Sequence, residues 1–278
     1  MKNNNIVNHP LHYSIYTRSC AEDIFGLMEV SEDLKLLDAG CGIGYYLERL
    51  MNSPVKPNLF GLEYDYDSLK YANERVSGNF VKADGASIPY KDDSFDIILT
   101  ASVLEHFEND NDLVKELVRV CKNEGQFILS VPSKDGIRSF SKMRNLGHDD
   151  STSPEYHFRI GYSKEELKSI LNKYGVHVEE VRYSLIFSAE IFMDLVKWVY
   201  FKKNKLKSQS NIADSTNSQL FKIYKYFVPL VLFAESMEKR LLSKWLRGHI
   251  ITVRGRVCKN HKAARYRNQM ELPLQRAK

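Results

Sequence analysis

The stretch Leu36-Leu37-Asp38-Ala39-Gly40-Cys41-Gly42-Ile43-Gly44 decides the fold. Leu34–Ala39 reads as a strand that runs straight into closely spaced glycines, and Tyr45–Met51 behind them reads as a helix. Gly40 and Gly42 carry no Cβ, so the turn can be tight and the backbone can approach a ligand closely. The N–H groups that open the helix can receive an anionic group. A glycine run alone also marks ordinary turns, so the reading depends on what surrounds it.

Outward from this stretch, short apolar runs alternate with helical patterns. Asn58–Glu63 is a second strand, and Asp67 can cap a helix over Ser68–Val76. Asn79–Lys82 is a third strand, and Ser94–Thr100 a fourth, entered by the turn-like Lys91-Asp92-Asp93. A helix over Leu113–Cys121 follows, with Asp110 or Asp112 at its start, and then a fifth strand, Gln126–Val131, closed by Pro132. This alternation predicts βαβ units and a parallel sheet covered on both faces. Beyond Pro132, residues 133–160 are polar and turn-rich. Ser163 and Glu166 form a capping box for a helix over Lys164–Tyr174, which Gly175 stops. Val176–Ile186 and His249–Cys258 read as strands, with roughly sixty helical residues between them. The expected fold class is therefore α/β: a doubly wound, mostly parallel, Rossmann-like sheet with a helical insertion before the last strand. Its expected parts are an N-terminal cap, 1–33; the core, 34–186; the insertion, 187–248; and the last strand with a basic tail, 249–278.

Two further strand ends carry acids. Glu63 closes the second strand nineteen residues after Gly44, where a Rossmann-type sheet hydrogen-bonds ribose hydroxyls. Asp84 follows the third strand in Ala83-Asp84-Gly85, and a carboxylate there can accept from an exocyclic amine such as that of adenine. Each acid alone is more often a solvated loop residue. Three strand ends with suitable polar groups in order, the glycine-bearing end, Glu63 and Asp84, at the ends where open α/β sheets bind ligands, are hard to obtain by accident.

At this point the chain resembles the class I S-adenosylmethionine-dependent methyltransferases, specifically the group reading LDxGCGxG followed by an acid closing strand two. The resemblance continues through Asp84-Gly85-Ala86-Ser87-Ile88-Pro89-Tyr90, Ser94-Phe95-Asp96-Ile97-Ile98 and the "vLEH" element Val103-Leu104-Glu105-His106. It then takes in Arg119-Val120-Cys121-Lys122-Asn123-Glu124-Gly125, where Asn-Glu-Gly stands in place of the usual Pro-Gly-Gly. It covers roughly residues 34–132 and extends more weakly through His157–Gly175. The resemblance implies S-adenosyl-L-methionine as cofactor. It implies that Gly40, Gly42 and Gly44 shape the loop around the methionine part, and that Asp38 supports its amino group. Glu63 would then hold the ribose, Asp84 would meet the adenine amine with Gly85 or Ala86 donating a backbone N–H, and Ala101 would offer a carbonyl to the methionine ammonium. An NAD-dependent oxidoreductase is the weaker reading, because the glycines run GxGxG rather than GxGxxG.

A sulfonium methyl is already activated, so the protein's main task is to align the nucleophile and exclude water. No metal-ligand cluster is visible in the sequence, and none is required. A hydroxyl nucleophile needs a base, for which His106 and His157 are the candidates. His106 has the alternative of buttressing its loop. His157 and Arg159, in Tyr156-His157-Phe158-Arg159-Ile160-Gly161-Tyr162-Ser163, either face the acceptor or fix the segment. Arg159 suits a phosphate or carboxylate on the acceptor. Tyr13 and Tyr16 belong to a segment that either closes over the cofactor or simply packs as a helix.

Charge divides the 278 residues unevenly. Residues 1–196 hold 21 Lys and Arg against 31 Asp and Glu, a net of −10, whereas residues 197–278 hold 19 against 4, a net of +15. Such asymmetry points the basic part toward something anionic. Within the insertion, Glu190, Asp194 and Lys197 share one face of a helix over Ser188–Phe201 while apolar residues cover the rest, and lysines follow directly. Tyr226–Ala234 is uncharged and contains Pro229, but is far short of the roughly 20 residues of a membrane span. Ser208–Ser218 is polar and reads as a connector. Two readings stand for this region: an element lying on an anionic membrane, or a helical lid packed on the core. Nucleic acid ranks last, since no binding motif accompanies the basic tail.

Cys20, Cys41, Cys121 and Cys258 form no CxxC pair, and MKNNNIVNHP has no apolar run behind its lysine, so a cytoplasmic chain without a secretory leader is expected. The sequence therefore predicts methyl transfer to oxygen of a small or lipid-linked acceptor, a saccharide or isoprenoid among the candidates. Its rival is a catalytically silent protein that keeps the cofactor pocket and acts through its helices at a membrane. Oligomeric state is not legible.

Overall fold

The computed structural model describes residues 14–136, 157–204, 219–242 and 245–259. Tyr13, most of the turn-rich stretch after Pro132 and the Ser208–Ser218 connector lie outside the described residues. The elements are α1 (Ile15–Leu27), β1 (Lys35–Ala39), α2 (Tyr45–Met51), β2 (Asn58–Glu63), α3 (Tyr66–Arg75), β3 (Asn79–Lys82) and β4 (Phe95–Ala101). After a short 3-10 turn, Leu104–His106, come α4 (Asp110–Val120), β5 (Cys121–Pro132), α5 (Lys164–Lys173), β6 (Val176–Ser184), α6 (Phe187–Asn204), α7 (Gln219–Leu242) and β7 (Ile250–Val257).

The seven strands form one sheet in the order β3-β2-β1-β4-β5-β7-β6. β1 to β5 pair in parallel, while β7 runs antiparallel to both β5 and β6. The expected doubly wound, mostly parallel sheet is thus present, and the helical insertion leaves after β6 and returns as β7. Adjacent residues of each central strand enter opposite layers, which is why these strands read as unbroken apolar runs. Leu37, Ile98, Phe127 and Leu129 pack with Leu113 and Leu117 of α4 and Leu167 and Leu171 of α5. Leu36, Ile97, Leu99 and Ile128 pack on the other face with Ile15 and Ile24 of α1, Leu47 of α2 and Val228 and Leu232 of α7.

Helix starts follow side-chain capping, with two corrections. The capping box of Ser163 and Glu166 is present as expected, and Gly175, at φ +81°, ends α5. Asp67, however, sits inside the first turn of α3; Asp65 is the cap, its carboxylate accepting the Ser68 N–H at 2.8 Å. Asn109 likewise caps α4, which leaves Asp110 as a buried residue of its first turn.

The insertion is docked through buried polar contacts as well as apolar ones. Ser19 Oγ of α1 donates to Glu235 Oε1 of α7 at 2.6 Å, and the Leu185 N–H donates to the same oxygen at 2.7 Å. Lys239 Nζ reaches Asp23 at 2.9 Å, and the Ser184 hydroxyl donates to that carboxylate too. Glu190 of α6 is buried and ion-paired with His249 at the start of β7.

Candidate active site

The site begins where β1, β2 and β4 end. Asp38 is 1% exposed, and among the described residues neither of its carboxylate oxygens has a hydrogen-bond partner. Burial, and secondarily the charge of Glu63, push its carboxyl up to about 8. An uncompensated buried carboxylate is costly, and a cation placed against it removes that cost. Gly40 is left-handed at φ +80°, and a Cβ there would collide with Val103 Cγ2. Gly42, at φ +50°, differs in kind: a Cβ there would meet nothing within 4 Å, so the loop opens into space at this residue. Gly44 follows as the left-handed N-cap of α2.

Glu63 is held by main-chain donors from two loops. Its Oε2 accepts the Gly42 N–H at 2.7 Å, and its Oε1 accepts those of Tyr64 and Asp65 at 2.8 and 3.0 Å. The N–H groups of Gly40 and Cys41 both donate to the Leu62 carbonyl, so the glycine loop and the end of β2 form one unit. Asp84 is exposed and accepts the Ala86 N–H at 2.9 Å. A Cβ on Gly85 would lie 2.7 Å from Leu113 Cδ1, so the loop rests against α4.

Next to β1 in the sheet, Ala101 ends β4 opposite Ser130. Thr100 Oγ1 donates to the Ala39 carbonyl at 3.0 Å, tying the ends of β4 and β1 together. The next residue, Ser102, has φ +56°, which is uncommon outside glycine and is sustained only by its surroundings. Its hydroxyl lies 2.8 Å from that of Tyr16, which α1 brings to this strand end. Burial raises the Tyr16 hydroxyl well above its ordinary pKa.

The 3-10 turn then gathers a second polar group. Glu105 is 1% exposed, its Oε2 has no partner among the described residues, and burial pushes its carboxyl up to about 8. The Glu105 carbonyl accepts the N–H of Phe158 at 2.9 Å and that of Arg159 at 3.4 Å, while Tyr162 Oη donates to the Leu104 carbonyl. These bonds lay the segment from His157 onward on the turn. The rings of His106 and His157 meet edge to face, 4.6 Å between centroids. Arg159 points to the start of α4, its Nε donating to Asp110 Oδ1 at 3.0 Å, and it lies over the ring of Tyr162.

The structure thus brings Asp38, Gly40, Gly42, Gly44 and Glu63 together, and brings His106 to His157. Arg159 is engaged with a protein carboxylate. Sequence reasoning assigned no role to Glu105 or Ser102, and read Asp110 as a helix start and not as the partner of Arg159. The position of Glu105 between Leu104 and His106 was in view, but nothing in the sequence marks its carboxylate as buried. The cluster it forms with two histidines was invisible because His157 lies far along the chain.

Residues 37–129 match the model of the methyltransferase domain family. An uncharacterised methyltransferase of Mycobacterium tuberculosis is 37% identical over 98 residues, covering 34% of this chain and 38% of that protein. The chain therefore spans well under half the length of this relative. Solved structures share the fold. An S-adenosylmethionine-dependent methyltransferase of Thermotoga maritima superposes with a TM-score of 0.54 at 17% identity, over 90% of this chain and 91% of that one. A Haemonchus contortus phosphoethanolamine N-methyltransferase, solved with phosphomonomethylethanolamine and S-adenosylhomocysteine, gives 0.53 at 15% identity over 86% and 52%. The family's cofactor, S-adenosylmethionine, fits the residues present: an unpaired buried carboxylate at Asp38 for an ammonium, open space beside Gly42, and an oriented acceptor at Glu63. Glycine loop, paired strand ends and family match converge on one conclusion: residues 37–129 form a methyltransferase domain of the class I S-adenosylmethionine-dependent kind.

Proposed function

We propose that the protein transfers a methyl group from S-adenosylmethionine to an oxygen of an acceptor presented at an anionic lipid surface. When bound, the cofactor supplies a methyl group on a positively charged sulfur, which needs no further activation. Asp38 and Glu63 hold its polar ends, and the bonded ends of β1, β2 and β4 keep the two carboxylates in fixed relation. A hydroxyl acceptor must shed its proton as it reacts, and His106 and His157 are the side chains through which the protein promotes that loss. Tyr16 and Ser102 meet at the end of β4, before the turn that carries His106.

One observation carries the lipid part of this reading. α7 has two apolar faces. Val228, Val231 and Leu232 pack into the core. Ile223, Tyr226, Leu230, Phe233, Met237 and Leu241, three or four residues apart, form another face open to solvent together with Phe227, with Leu230 62% and Phe233 64% exposed. Trp245, 83% exposed, follows the helix. An exposed apolar face of this size marks an interaction site, and exposed Trp and Tyr suit the membrane–water boundary. The net charge of +15 over residues 197–278 supplies the complement to anionic headgroups. Among the described residues no helix is long and apolar enough to cross a membrane, so the helix is read as lying on the surface.

Calorimetric titration with S-adenosylhomocysteine, with NAD as control, tests the cofactor. Cosedimentation with phosphatidylglycerol or phosphatidylcholine vesicles tests the surface. The expected outcome is binding of S-adenosylhomocysteine alone, and sedimentation with the anionic vesicles well above that with the neutral ones. Vesicle binding without S-adenosylhomocysteine binding would favour a catalytically silent membrane protein; the reverse result would return α7 to the role of a lid.

A further inference from the structure

We infer that Glu105, His106 and His157 form a binding site for one divalent first-row transition ion. Each residue offers a ligand atom, and the three atoms lie within 4.8 Å of one another. Two imidazoles and one carboxylate suit zinc, manganese, iron or cobalt far better than magnesium or calcium, which prefer oxygen alone. Three protein ligands also leave coordination positions open, as catalytic ions require.

Two independent observations support the assignment. First, Glu105 is 1% exposed and its Oε2 has no partner among the described residues. A carboxylate buried without a partner is unfavourable, and an ion at this point supplies one. Second, the three ligands are held by main-chain bonds from separate parts of the fold. Glu105 and His106 share the turn after β4. His157 is carried to them by the segment whose Phe158 and Arg159 N–H groups both donate to the Glu105 carbonyl, with Arg159 and Tyr162 anchored to Asp110 and Leu104 on either side. Supporting contacts of this kind orient metal ligands.

The role of the ion rests on the proposed methyl transfer; its binding does not. The site follows the Tyr16–Ser102 pair at the end of β4. An acceptor hydroxyl that coordinates the ion loses its proton to bulk water more readily. The electron pair on that oxygen then forms the C–O bond to the methyl carbon. The C–S bond breaks, and its electrons return to sulfur as a neutral thioether. The imidazoles serve as ligands in this scheme, and the ion assumes the part of lowering the hydroxyl's pKa.

The test uses the full chain, stripped with a chelator and titrated with Zn²⁺, Mn²⁺ and Co²⁺ against Mg²⁺. The expected result is one tight equivalent of Zn²⁺ or Co²⁺, with visible Co²⁺ absorption bands. His157→Ala and Glu105→Gln weaken it by at least about tenfold, the least that loss of even a supporting partner costs, and abolish the bands. His177→Ala, on β6 and away from the site, leaves both unchanged. S-adenosylhomocysteine titration of the same samples shows whether each variant keeps its fold and cofactor pocket, so failure here is separable from failure of the methyltransferase reading. Absence of binding by all three transition ions, or equal binding and spectra in His157→Ala, would overturn the inference.

Discussion

Around Glu63 the polar partners come from the main chain. Gly42, Tyr64 and Asp65 donate their N–H groups, and the glycine loop is itself bonded to Leu62. Around Glu105 and along α7 the chemistry comes from side chains that distant segments deliver: His157 onto the turn after β4, Glu235 and Lys239 onto α1. The first region depends on where the backbone can go, and glycine spacing controls that. The second depends on which side chains meet. The two should therefore fail separately when mutated.

The largest effect is expected at Glu63. Glu63→Ala removes an acceptor with three main-chain donors, and hydrogen bonds to a charged group are each worth about 1.5–3 kcal/mol. Calorimetry should show S-adenosylhomocysteine binding weakened by about 100-fold or more, with vesicle binding intact. Loss of both together would mean that the regions are not independent.

Next comes the open face of α7. Leu230→Glu with Phe233→Glu alters exposed side chains, so the fold should persist. Burial of such a residue is worth about 1.5–3 kcal/mol, and sedimentation with anionic vesicles should fall at least about tenfold. Affinity for S-adenosylhomocysteine should not change. Unaltered sedimentation would remove the face from the proposed function.

Asp38→Asn sharpens the comparison through pH. The Asp38 carboxyl is raised to about 8 in the folded chain, against about 4 when unfolded. Its contribution to stability is therefore complete below about pH 4 and is lost as pH rises through 8. The asparagine variant should show a higher Tm than the parent at pH 8 and a shallower fall between pH 4 and 8 in the absence of ligand. It should also bind S-adenosylhomocysteine less well. A Tm below that of the parent at pH 8 would contradict the unpaired state of this carboxylate.

The smallest effect is expected at Arg159. Its side chain is 43% exposed, so removing its pair with Asp110 should cost about 1 kcal/mol after screening, a Tm loss of about 2–4 °C. A higher KM for the acceptor with an unchanged Tm would instead identify Arg159 as an acceptor-binding residue.

This difference also explains what could be read in advance. The boundaries of α2, β2 and β3 matched their sequence patterns because strand runs, glycines and capping residues act locally. Asp38 and Glu63 were legible for the same reason: each stands at a recognisable strand end. Glu105 was not, because burial of its carboxylate depends on a segment some fifty residues later. The burial of Glu190 was not legible either, because His249, distant in sequence, supplies its partner. The open apolar face of α7 was partly hidden by its uniformity: Tyr226–Ala234 is uncharged throughout, and only packing distinguishes Val228, Val231 and Leu232, covered, from Leu230 and Phe233, bare.

The antiparallel pairing of β6 with β7 has a consequence for how such proteins diversify. Ser184 lies beside Ile250, so the whole excursion of residues 185–249 leaves and re-enters the sheet through neighbouring positions. By topology it is a loop on a hairpin, exchangeable for a short turn. By its contacts it is rooted elsewhere: Lys239 neutralises Asp23, and Tyr224 Oη accepts the N–H of Ile15, both on α1. Excision alone would strand a buried carboxylate, so the excursion and the first helix form one unit, and any replacement of the one would have to be matched by a change in the other.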